Sequence, residues 1–291
     1  MQNNHVIIRK SSQRDCRSIF EWRNDDHSQK MFFDESLPTY QDHSKWFATS
    51  LSNPNRQLYI GEIDGEKIGV CRFDYDMSTS KAEVSINMNP LMRGKGIGKQ
   101  FLAKAMDEYL SFNEVDLTAR IKQKNYASKK IFEFVGFNLA FENDEVIYLE
   151  RPISELYFKQ VEKCDIEVLF ELLKRRVHSI SHESLPSLET HKKFVETYPY
   201  EHWYLVFESE NAVGTFYVQS DNSIGLNLLN PSKRSVRKII NYITDNFSPK
   251  SEIKSKIPSF FFINVAQSNQ VLQDIIKDLD CLAIQTSYKL K

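Results

Sequence analysis

The residues best suited to chemistry lie in one run, Glu83-Val-Ser-Ile-Asn-Met-Asn-Pro-Leu-Met-Arg-Gly-Lys-Gly-Ile-Gly-Lys. Gly94, Gly96 and Gly98 carry no Cβ, so an anion can approach the backbone there. Ile97, Phe101, Leu102, Ala105, Met106 and Tyr109 follow at helical spacing and share one face. The glycine turn therefore opens a helix, where unpaired N–H groups and the positive end of the dipole make a phosphate site. Its spacing fits neither the dinucleotide fingerprint, which needs glycine where Lys99 stands, nor a P-loop. A glycine-rich surface turn is the plainer alternative, and the surrounding elements decide between the two.

Those elements read as follows. Residues 6–9 form a short strand, and the next helix places Cys16, Ile19 and Phe20 on one side and ends at Trp22-Arg23-Asn24. Thr39 suits the N-cap of another helix, with His43, Trp46 and Phe47 on one face. Residues 57–63 and 67–75 alternate around Asp64-Gly65 as a hairpin, and 81–88 carries the antiparallel sheet into the glycine turn. A strand at 115–120, a helix at 125–135 ending at Gly136, and two strands through Leu149 complete the unit. The fold class is α+β, a mostly antiparallel mixed sheet flanked by helices.

A chain of 291 residues with 41% apolar content predicts two domains with real cores. Lys+Arg 38 against Asp+Glu 39 gives a net charge of -1, which offers no electrostatic case for nucleic acid. No apolar stretch approaches membrane-spanning length, and Met-Gln-Asn-Asn-His has neither a charged region nor an apolar run, so a cytoplasmic protein is expected. Cys16, Cys71, Cys164 and Cys281 lack metal-ligand spacing, so no metal is expected and the cysteines read as small buried hydrophobes.

Arg93-x-x-Gly96-x-Gly98 resembles the pyrophosphate-binding motif [QR]-x-x-G-x-[GA] of the GNAT superfamily of acyl-CoA N-acyltransferases. Asn125-x-x-Ser128, then Phe132 and Gly136-Phe137, resembles its second motif, N-x-x-[AS]-x-x-x-Y-x-x-x-G-F. The resemblance covers roughly the first half of the chain and implies acetyl-CoA as acyl donor. By it, the strand at Ile86, Asn87 and Met88 splays from its neighbour and pairs with the pantetheine, and a strand N–H near Met88 steadies the oxyanion. The N–H groups of Gly94, Gly96, Ile97 and Gly98 would hold the pyrophosphate in a run that includes Lys95, with Arg93 and Lys99 adding charge. Asn125 and Ser128 would line the pantetheine arm. Glu83 stands where many relatives carry a basic glutamate, and partial burial would raise its pKa usefully; the alternative is a solvent-facing side chain. Phe132 stands where many relatives have a proton-donating tyrosine, which leaves Tyr126, Tyr75 or water for that task.

Trp22-Arg23-Asn24, with His43 and Trp46-Phe47, resembles the layout of two GNAT branches. One acetylates nucleotide-linked deoxy-amino sugars and the other the N-termini of ribosomal proteins. Trp22 and Trp46 would stack on a sugar or uracil, and Arg23 and Asn24 would bond a diphosphate or hydroxyl groups. Trp46 and Phe47 read better as core. The leading expectation is N-acetylation of a small amine, a nucleotide-linked amino sugar first and a protein N-terminus second. A non-catalytic acyl-CoA-binding module is the rival from another class.

The second half echoes the first. Ser184-Leu-Pro-Ser-Leu-Glu-Thr-His191 follows Ser36-Leu-Pro-Thr-Tyr-Gln-Asp-His43, and Asn230-Pro231 follows Asn89-Pro90. Strands at 203–208 and 213–219, a helix at 232–247, and Asn269 before an apolar helix repeat the order, as duplication would. Domains of 1–152 and 153–291 result. Against Arg93-Gly-Lys-Gly-Ile-Gly-Lys the second copy has Arg234-Ser-Val-Arg-Lys-Ile-Ile, and only Gly214 and Gly225 lie beyond residue 151. It reads as a degenerate, non-catalytic domain, with Lys233, Arg234, Arg237 and Lys238 on a solvated helix face. Because His43 recurs as His191, it reads as structural. A second copy standing in for a dimer partner would make the chain a monomer, and a weak homodimer is the alternative.

Overall fold

The computed structural model describes residues 5–34, 36–178, 185–254 and 256–285. Residues 1–4 and Ser184, on which the leader reading and the start of the internal echo rest, lie outside the described residues. The chain divides into two units, Met1–Ile153 and Ser154–Lys291, each with its own sheet.

In the first unit β1 (Ile7–Lys10) and a single 3-10 turn lead to α1 (Cys16–Arg23), α2 (Asp26–Met31) and α3 (Tyr40–Ser52). Strands β2 (Arg56–Ile63), β3 (Glu66–Asp76) and β4 (Lys81–Met88) follow, then α4 (Ile97–Leu110), β5 (Asp116–Lys122), α5 (Tyr126–Phe134), β6 (Asn138–Glu142) and β7 (Val146–Arg151). The strand order is β1-β2-β3-β4-β5-β7-β6, and β4 with β5 is the one parallel pair. Asp64 and Gly65 both take positive φ, 50° and 81°, so the β2–β3 hairpin turns with the strand twist. The Thr39 hydroxyl accepts from the Asp42 N–H at 3.2 Å and caps α3. The sequence did not announce α2: six mostly polar residues carry no periodic apolar face, and its start is fixed by Asp25, which accepts from the Ser28 N–H at 3.0 Å.

Both faces of this sheet are covered. Phe101, Leu102, Ala105 and Tyr109 of α4 pack on Tyr59, Phe73, Val84 and Leu117, while Ile19 and Trp22 of α1 and Phe47 of α3 pack on Leu58, Ile60 and Val70. Each such side chain contributes on the order of 2 kcal/mol. Three readings need correction. Trp46 is 36% exposed and stays outside the core that Phe47 enters. Trp22 takes the core place given to Phe20. Cys164 and Cys281 are exposed, unlike the buried Cys16 and Cys71.

The second unit comprises β8 (Leu156–Gln160), α6 (Ile166–Arg175), α7 (Leu188–Thr197), β9 (His202–Glu208), β10 (Asn211–Val218), β11 (Ser223–Leu228), α8 (Lys233–Asn246), β12 (Phe262–Asn264) and α9 (Gln270–Asp278). Strands β8 to β12 take the order and directions of β1 to β5, including the parallel last pair. The agreement extends to single contacts. Asp15 binds Arg9 at 2.7 Å and the Ser12 N–H at 2.8 Å; Asp165 binds Lys159 at 2.6 Å and the Glu162 N–H at 2.8 Å. His43 packs on Phe20 at 5.4 Å and His191 on Phe170 at 5.3 Å. Asn125 caps α5 and Asn269 caps α9, each accepting an N–H at 3.2 Å. A Cβ on Gly69 would strike Asn87 O and Met88 Cα, and one on Gly214 would strike Asn227 O and Leu228 Cα. Lys233 and Arg234 are buried, against the solvated-face expectation; Arg234 Nη2 donates to Ser154 O at 2.9 Å.

Candidate active site

The parallel pairing of β4 with β5 stops at Glu83 and Thr118, after which β5 continues against β7 alone. The two strands therefore part beyond Glu83. Asn89 N–H bonds Ile68 O on β3, so alternation along the regular β3–β4 ladder turns the N–H and C=O of Ile86 and Met88 to the opposite edge, into the opening. At its mouth stands the glycine turn. Gly94 and Gly96 take φ of 73° and 75°, a region unfavourable to side chains, and Gly96 is the N-cap of α4. Gly98 has a different reason to be glycine, because a Cβ there would stand 2.9 Å from Ile131 Cδ1 of α5.

The flanking cations are held in place. Arg93 pairs with Asp25 at 2.5 Å, donates to Ser28 Oγ at 2.7 Å and reaches Met88 O at 3.2 Å. Ser28 Oγ in turn donates to Asn87 Oδ1 at 3.1 Å. The arginine thus ties the glycine turn to α2 and to the edge of β4. Burial opposes ionisation of Asp25, yet the Arg93 bond and the Ser28 N–H hold its carboxyl below the usual range. Lys99 lies 4.3 Å above the Phe134 ring, and Lys95 reaches Met92 Sδ at 3.5 Å. Asn125 Oδ1 accepts from the Ser128 N–H, and the same cap occurs at Asn269 without a glycine turn nearby in sequence.

Glu83 faces the α1–α3 side of the sheet, alternating with Ala82 and Val84, which enter the α4 core. It accepts from Arg120 Nε at 2.8 Å, which raises the Arg120 guanidinium, and its side chain is 30% exposed. A guanidinium partner, rather than an apolar pocket, is its environment. On the same face Asp74 pairs with both Arg56 and Arg72, the latter at 2.8 Å. Burial lowers the Arg72 guanidinium against the pull of Asp74, with Arg56 and Arg23 also opposing its charge. Arg23 reaches Asp34 at 3.2 Å and lies 5.0 Å above Phe32, while Arg120 lies 5.9 Å from Phe33. The segment after α2 thus meets both Arg23 and the Glu83–Arg120 pair.

Two expected roles are corrected. Trp22 is only 6% exposed and packed in the core, so it offers no face for stacking on a sugar. Tyr75 pairs with Ala82 at the far end of β4, six residues from Met88 and so about 20 Å along the strand. Phe132 is buried edge-on against Phe137 at 5.0 Å. Tyr126, first in α5 and 68% exposed, keeps its hydroxyl accessible. Sequence reasoning missed Asp25, Ser28, Arg72 and Arg120; only the arginines gave a signal, as charged residues on otherwise apolar strands.

Aligned through Gly214 and Gly69, the second unit has Ser223 at the position of Glu83 and Tyr217 at that of Arg72. The Tyr217 ring covers Gly225, where a Cβ would lie 2.1 Å from it, and stacks on Tyr200 at 3.8 Å. Between β11 and α8 the connection is shorter than between β4 and α4, and Ser232 caps α8 by accepting from the Ser235 N–H at 3.1 Å.

A parted parallel pair thus stands beside a glycine turn at a helix N-terminus, where unpaired backbone groups and the helix dipole suit an anion. Residues 5–138 match the family described as Acetyltransferase (GNAT) domain. Over this stretch, just under half of the chain, the protein is similar to GNAT acetyltransferase domains, consistent with an acyl-CoA-dependent N-acetyltransferase. The chain is similar to the L-methionine sulfoximine/L-methionine sulfone acetyltransferase of Salmonella typhimurium, with 24% identity over 48% of this chain and 85% of the relative. It is also similar to YwnH of Bacillus subtilis, provisionally described as a phosphinothricin acetyltransferase, with 27% identity over 45% of this chain and 83% of the relative. Among solved structures, a Vibrio cholerae spermidine N-acetyltransferase in complex with CoA and spermine aligns over 51% of this chain and 96% of its own, at 17% identity and a TM-score of 0.47. Among the described residues no helix is long and apolar enough to cross a membrane.

Proposed function

We propose that the first unit transfers the acetyl group of acetyl-CoA to a small primary amine, using the opening between β4 and β5. The observation that carries this reading is the unpaired strand edge at Ile86 and Met88 leading to the turn of Gly94 and Gly96. Pantetheine amides would complete the ladder there, and the N–H groups of residues 94–98 would take the pyrophosphate. Asn87, Lys95 and Lys99 border the same run. The Met88 N–H would bond the oxyanion as the amine adds to the thioester carbonyl. Glu83 stands five residues before Met88, about 16 Å along β4, so it would take the amine proton through a chain of waters, exchanging its bond to Arg120. Collapse expels the CoA thiolate, protonated by Tyr126 or solvent.

For the acceptor, a nucleotide-linked amino sugar loses the stacking support of Trp22. The acceptors for which the two relatives are named, methionine sulfoximine or sulfone and phosphinothricin, favour a compact amine instead. We read the second unit as a duplicated copy without transfer chemistry and the chain as a monomer, which sedimentation tests.

The test monitors CoA release from acetyl-CoA against amino-acid-like amines, nucleotide amino sugars, N-terminal peptides, polyamines and aminoglycosides, with Gly96→Trp as control. Saturable release with a compact amine, abolished in the variant, supports the proposal. Tight acetyl-CoA binding without release for any amine would replace it with the acyl-CoA-binding reading.

A further inference from the structure

The α1–α3 face beside Glu83 carries polar groups that the fold leaves unsatisfied. Arg23 Nη1 and Asn24 Oδ1, at the end of α1, are buried with no hydrogen-bond partner among the described residues. A buried guanidinium N–H and a buried amide oxygen left unpaired each cost about 1–3 kcal/mol, a cost that a ligand reaching both would relieve. Arg72 and Arg56 share one carboxylate, Asp74, which leaves this face with more guanidinium than its acids neutralise.

The second unit serves as an internal control. It keeps the residues that hold the architecture, with Asp165, Phe170, His191 and Asn269 in the roles of Asp15, Phe20, His43 and Asn125. Counting along α6 from Phe170 as along α1 from Phe20, Leu173 and Lys174 stand in place of Arg23 and Asn24. Tyr217 and Ser223 stand in place of Arg72 and Glu83. The fold therefore forms without any of the four, and they differ in the unit whose glycine turn is missing.

We propose that Arg23 and Arg72, with Asn24 beside them, form a subsite for the carboxylate of the acceptor, so that the enzyme selects primary amines bearing a carboxylate. This rests on the transferase reading above. The guanidinium fork of Arg23 offers an N–H to a carboxylate oxygen, and Asn24 Oδ1 takes a donor on the remainder of the acceptor. Polyamines, which carry no anion, are disfavoured by the same charges.

The experiment compares L-methionine sulfone with its primary amide and with a nucleotide-linked amino sugar, in the full-length wild type and in the Arg23→Gln and Arg72→Gln variants. Kinetics are measured together with calorimetric binding of the acid and amide to CoA-loaded protein. The wild type is expected to prefer the acid over the amide by tenfold or more in kcat/KM. Each variant is expected to raise KM for the acid about tenfold or more and to erase the preference, with acetyl-CoA affinity and melting temperature retained. Arg23→Lys, which keeps the charge without the fork, should recover part of it. Equal use of acid and amide by the wild type, preference for the amino sugar, or equal losses for acid and amide in the variants would overturn the proposal. If no amine is acetylated but CoA-loaded protein still binds the acid over the amide in an Arg23-dependent way, the subsite stands and the transferase reading fails.

Discussion

Replacing Asp25 by asparagine separates two tasks for Arg93. In the structure Arg93 binds Asp25, Ser28 and the Met88 carbonyl, which fixes the glycine turn against α2. The alternative from the motif is that its charge serves the pyrophosphate directly. Asparagine caps a helix about as well as aspartate, so the Ser28 N–H bond survives and only the charge is lost. A charge-assisted bond is worth about 1.5–3 kcal/mol when desolvated, but both partners are one-quarter exposed, so about 1 kcal/mol is the better figure. If that energy holds the turn in its binding conformation, KM for acetyl-CoA rises about fivefold in Asp25→Asn, with kcat little changed. The effect shrinks in high salt, where a part-exposed pair is screened. Because the Asp25 carboxyl is held below its ordinary value, its contribution is present above about pH 3.9 and is lost as pH falls through the lowered value. Steady-state kinetics in acetyl-CoA at saturating amine, at low and high salt, make the measurement. A lower KM in the variant would refute the reasoning, since it would mean that a freed guanidinium binds the donor better than a tethered one.

Glu83→Gln should reduce kcat by about 10²–10⁴ at neutral pH while calorimetry shows acetyl-CoA affinity unchanged, and a loss below tenfold would assign the proton to another acceptor. His43 and His191 are held below the ordinary histidine value by burial, so protonation favours the unfolded chain. Their stabilisation is complete above about pH 6.5 and declines as pH falls below it, which urea midpoints at pH 8 and 5 would register; His43→Phe and His191→Phe should each flatten that dependence. Phe132→Tyr restores the residue common at this position in many GNAT relatives but buries a hydroxyl against Phe137. It should cost about 1–3 kcal/mol in denaturant unfolding and bring no gain in kcat, whereas a faster enzyme would show that the ring reaches the leaving group.

The glycine turn was legible because its determinants are local. Gly94 and Gly96 need positive φ within the turn itself, and Ile97 to Tyr109 show their face by period alone. The hairpin at Asp64-Gly65 and the cap at Thr39 were legible for the same reason, whereas Asn125, read only as lining a ligand, turns out to cap α5. Asp25 was not, because it meets Arg93 across 68 positions of sequence from a helix with no apolar pattern. Trp22 misled because an aromatic side chain near a helix end suits a ligand and a core equally, and the strands beneath it, Leu58, Ile60 and Val70, settle the matter. Gly98 misled in part, since its place in the motif suggests a phosphate while its neighbour is Ile131.

A residue needed by the architecture should persist wherever that architecture is built, and the carboxylate that binds Arg9 or Lys159, the histidine on a phenylalanine, and the asparagine cap all do. By the same logic the Asn125 cap is too general to mark a donor site, however well it fits the motif. Glu83, Arg72 and the glycine turn behave otherwise: in their places stand Ser223, Tyr217 stacked over Gly225, and a connection whose helix is capped by its own Ser232. Covering the sheet face with an aromatic ring and satisfying a helix terminus internally both leave less for a ligand to bind. Both β4 and β11 run past the end of their parallel pairing, but only in the first unit does that edge lead to a glycine turn and a helix N-terminus without a side-chain cap, and it is there that binding energy from a donor remains to be gained.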